Sequence, residues 1–198
     1  MATAPRPHPD FSAARRAMID SQLRTSGVNE LWVLARMAAV AREDFVPEGA
    51  RGSAYIDRAV PLGGGAMLAA PLVHALMLAE AKPTPADRVL VIDGGSGYLP
   101  ALLEGVADTV TVVSPDDALK GRKGDFTLVM IDGAAEQIPG ALARRLAEGG
   151  RIVTGIVEDG VTRLAIGSAS DGRIALLPLA DIGIPRLAAF DKPKAWSF

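Results

Sequence analysis

Between residues 89 and 97 the chain reads Val89-Leu90-Val91-Ile92-Asp93-Gly94-Gly95-Ser96-Gly97, an unbroken apolar run followed almost at once by three glycines in four positions. Four consecutive aliphatic residues suit a strand covered on both faces, as strands of parallel sheets are. Glycines at its end remove the Cβ atoms that hold a backbone away from a neighbour. A helix expected over residues 98–106 would then point unpaired N–H groups at the same spot. Few architectures accept such a unit. The α/β layers, with helices on both faces of a parallel sheet, accept it readily.

The rest of the chain fits that reading. From Lys82-Pro83-Thr84-Pro85 onward, short apolar strands (89–92, 110–113, 128–131 and 151–156) alternate with helix-length segments. One of these, 138–146, is expected to stop at Gly149-Gly150. Residues 161–166 and 174–179 flank Ser168-Ala169-Ser170-Asp171-Gly172 and predict an antiparallel hairpin. Ahead of the sheet, Phe11, Ala14, Met18 and Leu23 recur at helical spacing until Gly27. Asn29 is expected to cap a second helix with Leu31, Leu34, Met37 and either Ala38 or Ala41 on one face. Gly63-Gly64-Gly65 reads as a flexible loop, and a buried helix is expected from Pro71 to Ala81. The expected fold is α/β: a Rossmann-like, mostly parallel sheet with an antiparallel C-terminal hairpin and an N-terminal helical layer. Residues 1–10 form a mobile tail, and 11–198 form a single domain made of a helical part (11–81) and a sheet core (82–198).

Composition narrows the function. The 198 residues include no cysteine, which excludes disulfides, thiolate metal sites and a cysteine nucleophile. Two histidines, His8 and His74, lie too far apart in sequence to suggest a metal site. A formal net charge of −2 leaves no footprint for nucleic acid or an anionic membrane. The first ten residues carry three prolines and no apolar core of a signal peptide, and the apolar stretch 66–81 is too short to span a bilayer, so the cytoplasm is the expected compartment.

The glycine loop fails the dinucleotide pattern G-x-G-x-x-G, because counting from Gly95 the third glycine position is Pro100, and no Gly-Lys-Ser/Thr follows to make a P-loop. Gly95-Ser96-Gly97 is closer to the S-adenosylmethionine loop of class I methyltransferases; a tight turn without a ligand is the alternative. Asp93 suits a helix cap or a ligand contact, and Asp132 falls on the strand edge where α/β folds bind ligands. His74 reads as a packed, partner-bonded histidine, and Met37, Met67 and Met77 as core filler. Arg15-Arg16 and Arg144-Arg145 read as solvated helix faces.

Several segments together resemble one family, the protein-L-isoaspartate O-methyltransferases. Arg42-Glu43-Asp44-Phe45-Val46-Pro47 is similar to the family's R-E-x-F-V-P. Residues 54–63, with Ala54, Tyr55, Asp57, Pro61 and Gly63, resemble its A-Y-x-D-x-x-x-P-x-G, where Tyr55 and Asp57 would support the following loop. Asp87-Arg88-Val89-Leu90 with Gly95-Ser96-Gly97-Tyr98 resembles the first sheet strand and cofactor loop. Ile138-Pro139, Leu146 and Gly149-Gly150-Arg151 resemble the helix and strand that follow. The resemblance implies methyl transfer from S-adenosylmethionine to the carboxylate of L-isoaspartyl residues in damaged proteins, a repair reaction. It places the substrate loop at Gly63, Gly65, Met67, Leu68 and Ala69. The cofactor site would comprise Asp93, Gly94, Gly95, Ser96, Gly97, Ser114 and Asp132.

Four departures qualify that implication. Met67 and Ala69 stand where the family's Thr-Ile-Ser segment has hydroxyls, so no side chain qualifies as catalytic. Val91 stands for an acid in the first strand and Asp93 for the first loop glycine. Ser114 occupies the place of the acid that binds the ribose, which Asp116 or Asp117 would have to replace. Only residues 115–124 separate the second strand from the third, a reach of about 35 Å. That span crosses a sheet edge but cannot also form a helix and a strand, which predicts a sheet lacking one edge strand and an adenine site lacking a wall. The alternative function is a catalytically inactive binding or interaction module on the same scaffold.

Overall fold

The computed structural model describes residues 10–120 and 123–193, so the expected tail, Asp10 apart, and His8 lie outside the described residues. An N-terminal layer holds α1 (Ser12–Met18), which runs through a π-helical turn (Ile19–Leu23) to a left-handed Gly27, and α2 (Leu31–Ala39). A two-stranded hairpin follows, β1 (Val60–Gly63) and β2 (Ala66–Leu68), and then α3 (Pro71–Ala81), with Pro71 in its first turn as expected. The core then alternates: β3 (Arg88–Ile92), α4 (Tyr98–Leu103), β4 (Thr109–Val113), α5 (Pro115–Leu119), β5 (Phe126–Ala135), α6 (Gly140–Ala143) and β6 (Leu146–Glu158). It closes with β7 (Val161–Ser170) and β8 (Arg173–Asp181).

The six strands run in the order β4-β3-β5-β6-β7-β8. Parallel pairing joins β4, β3, β5 and β6, and antiparallel pairing joins β6, β7 and β8. The chain leaves β3 for β4 on one side and returns to β5 on the other. The carboxyl end of β3 is therefore a topological switch point, where open α/β sheets form their ligand crevice. β4 is the edge, and among the described residues between it and β5 the one helix is the five-residue α5. The shortened segment has no strand among its described residues.

Side-chain alternation divides the core into two layers. Val89 and Val91 of β3, with Leu128 and Met130 of β5, face α3, α4 and the N-terminal helices. Leu90 and Ile92, with Val129 and Ile131, face the other way, onto Ala118 of α5, Leu142 of α6 and Phe190. Full burial of each such side chain contributes roughly 1.5–3 kcal/mol.

Local expectations fail in four places. Gly63-Gly64-Gly65 is not a flexible loop: Gly63 ends β1 and Gly64-Gly65 form the hairpin turn, all three glycines having positive φ. Leu31 is 77% exposed, and α2 buries Val33, Leu34 and Met37 instead. Glu30, not Asn29, precedes its first residue, and the Asn29 amide turns back to the Gly27 carbonyl. The helices predicted over 98–106 and 138–146 shrink to Tyr98–Leu103 and Gly140–Ala143. Leu146 opens β6 by pairing with Phe126, so Gly149-Gly150 lies within that strand.

At the opposite end of β3 from the glycines, Asp87 accepts both terminal nitrogens of Arg151 at 2.8 Å, together with the Thr127 hydroxyl at 2.7 Å and the Thr84 N–H at 2.8 Å. The Arg151 guanidinium holds this carboxyl well below its ordinary value of 3.8. A depressed carboxyl stabilises the fold above its unfolded value and loses that contribution as pH falls through the folded one. Wild-type stability should therefore drop on acidification below about pH 4, and Asp87→Asn should flatten that limb in acid-titrated thermal melts.

Candidate functional site

The loop after β3 and the β1–β2 hairpin meet at the switch point. Gly95 has φ +103, and a Cβ built on it would lie 3.1 Å from the Ala66 Cβ. Gly94 admits no side chain because the Asp132 carbonyl oxygen would be 2.6 Å away. The expected substrate loop and the expected cofactor loop are thus in direct contact.

A buried polar chain ties them together. Arg42, fully buried in a 3-10 turn (Arg42–Phe45), donates Nε to the Ala54 carbonyl at 2.6 Å and Nη2 to the carbonyl of Ala69, just beyond β2. Its guanidinium lies over the Tyr98 ring, 4.9 Å from the centroid. Nη1 faces His74 Nδ1 at 3.4 Å, and His74 Nε2 is 2.9 Å from Asp132 Oδ1. Arginine offers no acceptor, so the tautomer that completes the chain carries the lone pair on Nδ1 and donates from Nε2 to Asp132. The second carboxylate oxygen accepts the Ser96 hydroxyl at 2.9 Å, and Ser96 Oγ in turn accepts the Tyr98 N–H that opens α4. Burial works against the Asp132 charge, but His74, Ser96 and Arg42 hold the carboxyl below its ordinary range.

Asp93 turns its carboxylate back onto its own loop and accepts the Gly97 N–H at 3.1 Å. Burial, with Asp132 nearby, raises its pKa. Asp93→Asn keeps an acceptor for that N–H while removing a charge the site disfavours. It should leave the melting temperature at pH 7 unchanged or slightly higher.

The remaining expected residues separate into groups. Leu68 and Ala69 are buried, whereas Met67 lines a cavity of about 550 Å³ with Asp57, Arg58, Leu72, Thr162 and residues 182–186. Met67 is thus not core filler, unlike the fully buried Met37 and Met77. Ser114 stands at the end of β4 as the cap of α5, with its Oγ accepting the Asp117 N–H at 3.2 Å and donating to that carboxylate. Asp116, beside it, is exposed. Arg15 is not a solvated face: it donates to Tyr55 at 2.7 Å, to the Ala38 carbonyl at 3.0 Å and to Glu43. Burial and the hydrogen bond to Glu43 push the Tyr55 phenol up to about 12. Sequence reasoning missed two features outright. One is the burial of Arg42, which the sequence offered only as the first residue of the R-E-x-F-V-P segment, and the other is residues 182–190, which cross the ends of the strands. There Ala134 exchanges hydrogen bonds with Pro185 and Leu187, and Leu187 lies against Gly133 and Gly94.

The family model for protein-L-isoaspartate(D-aspartate) O-methyltransferase matches residues 13–120. A protein-L-isoaspartate O-methyltransferase from Roseiflexus sp. (strain RS-1) is 34% identical over 170 residues, covering 73% of this chain and 78% of its own. The chain belongs to the protein-L-isoaspartate O-methyltransferase family. A second such relative, from Marinobacter nauticus, is 34% identical and covers 86% of this chain and 94% of its own. That alignment runs over 206 positions, more than the whole of this chain, so the relative has residues this family member lacks.

Solved structures agree on the fold. A Plasmodium falciparum protein described as a PCMT, in complex with S-adenosyl-L-homocysteine, superposes with a TM-score of 0.69 at 19% identity over 92% of this chain and all of that one. Another protein-L-isoaspartate O-methyltransferase gives 0.71 at 16% identity over 88% of this chain and 66% of the other. Within the family frame, the R-E-x-F-V-P segment has a structural account. Arg42 holds the hairpin end, Glu43 pairs with Arg15 and Tyr55, and Phe45 packs edge-on to Tyr98 with centroids 5.2 Å apart.

The donor set at the strand ends also fits the family's cofactor. Asp93 and the Asp132 carbonyl are acceptors beside the glycine loop, suited to a ligand bearing ribose hydroxyls, an ammonium and a sulfonium. They are unsuited to a phosphate, which seeks N–H donors and cations.

Proposed function

We propose that this chain transfers a methyl group from S-adenosylmethionine to the carboxylate of L-isoaspartyl residues in damaged proteins, as a cytoplasmic repair enzyme. The observation that supports this reading is the close approach of Gly95, in the glycine loop, to Ala66, in the hairpin, at the switch point. S-adenosylmethionine, when bound, supplies an electrophilic methyl: the carboxylate oxygen forms the new O–C bond as the S–C bond breaks, and no proton has to move. What remains for the protein is positioning.

Gly94 to Gly97 present backbone to the cofactor, and Asp93 with Asp116 accept from it, in place of the acid replaced at Ser114. Asp132 acts at one remove, through Ser96. On the substrate side Gly63, Gly65, Met67, Leu68 and Ala69 offer backbone N–H groups to the carboxylate. Of the two positions without hydroxyls, Met67 faces the cavity and Ala69 is buried, its carbonyl held by Arg42. Met67→Thr alone should therefore raise the rate on an isoaspartyl peptide by about tenfold, the worth of one hydrogen bond to a charged group. Ala69→Ser should add nothing.

Calorimetric titration with S-adenosylmethionine and S-adenosylhomocysteine tests the cofactor half of this reading. Binding with one site per chain is expected, and no heat at millimolar ligand would sink it. The second reading, an inactive module on the same scaffold, is favoured by Leu187 lying over Gly94 and Gly133 and by Met67 in place of a hydroxyl. It predicts no rise in melting temperature with either ligand.

A further inference from the structure

The buried chain from Ala69 to Ser96 joins two loops that the proposed function assigns to two different ligands. One end is the carbonyl that closes the β1–β2 hairpin, and the other is a hydroxyl inside the glycine loop. Between them every polar group has a single defined role: Arg42 donates, His74 accepts on Nδ1 and donates from Nε2, Asp132 accepts twice. Such a chain has few alternatives, because each member is buried and an unmatched partner in a low-dielectric interior is costly. The loops also approach closely at Ala66 and Gly95, where even an added methyl on Gly95 would crowd Ala66.

We propose that His74, with Arg42 and Asp132, is a positioning residue that couples the two loops, so that occupation of the glycine loop tightens binding of the isoaspartyl substrate at the hairpin, and the reverse. This rests on the methyltransferase reading. By linkage the effect is reciprocal: whatever factor S-adenosylhomocysteine applies to peptide affinity, the peptide applies to S-adenosylhomocysteine.

The experiment measures the dissociation constant of a fluorescent isoaspartyl peptide by polarisation, with and without saturating S-adenosylhomocysteine. In the wild type the cofactor product should tighten peptide binding about fivefold or more. His74→Gln keeps an acceptor towards Arg42 and a donor towards Asp132 and should retain the factor, whereas His74→Leu should reduce it to about one. Where His74→Leu does not fold, Ser96→Ala cuts the chain at its far end and is read at saturating ligand. A purely structural role would lower the melting temperature of His74→Leu and leave the factor intact, which would overturn the proposal. So would a wild type that binds both ligands independently.

Should the wild type bind neither ligand, the methyltransferase reading fails, and hydrogen exchange of the unliganded protein reads the coupling instead. His74→Leu, compared with His74→Gln, should then speed exchange both at residues 67–69 and at residues 96–98. Acceleration confined to one of the two segments would overturn the coupling.

Discussion

Replacing Arg42 by methionine is expected to lower stability by about 3–5 kcal/mol, the usual cost of leaving one half of a buried ion pair uncompensated. Arg42 is the cation at one end of a buried array whose anion is Asp132, with His74 between them. Methionine fills much of the volume but leaves the Ala54 and Ala69 carbonyls without donors and the Asp132 charge without its balancing cation. For a domain of this size the melting temperature should fall by about 10 °C. Asp132→Asn alone should cost less, because an amide still accepts from His74 and can donate to Ser96. Combining the two substitutions should cost less than their sum, since the charge left unpaired by the first is removed by the second. Strict additivity in that double-mutant cycle would show that the two ends do not sense each other.

Phe190→Ala should be the other severe substitution, at about 3–5 kcal/mol. Among the described residues, the helices on the sheet face that Phe190 covers are the five-residue α5 and the four-residue α6. Phe190 is fully buried there against Leu90, Ile92, Val129 and Ile131, in the part of the molecule where the chain is shortened. Its removal also releases the segment that carries Leu187. Limited proteolysis should therefore cut first between residues 182 and 193 in this variant, before the sheet is lost. If cleavage begins elsewhere while thermal stability stays at the wild-type level, Phe190 is not what anchors that segment.

The sheet core was legible because its signals are local. Val89 to Ile92 could hardly be anything but a doubly covered strand, and Pro71 marked the start of α3 by itself. Elements without a local signal were misread. β1 and β2 are four and three residues long, too short for alternation to register, and their three glycines look like any flexible connection. Leu142 and Leu146 stand at helical spacing, yet only the first lies in α6, because pairing with Phe126 draws the second into a strand. That is tertiary context overriding a period of four.

The site divides along the same line. Gly94 to Gly97 stood out by residue type alone, and the absence of hydroxyls at Met67 and Ala69 stood out only against the family resemblance. The buried chain could not: its members stand 32, 58 and 36 residues apart, and an isolated arginine or histidine carries no mark of its partner. Nor did anything at Leu187 announce that it would lie against two glycines, one in the loop after β3 and one in β5.

Methyl transfer itself is the decisive readout. The purified chain is incubated with methyl-labelled S-adenosylmethionine and either an L-isoaspartyl peptide or its aspartyl twin, and base-labile label is counted in each. Label in the isoaspartyl peptide and background counts in its twin are the predicted result. Background counts in both, from a protein that is folded and shown to bind S-adenosylhomocysteine, would contradict it.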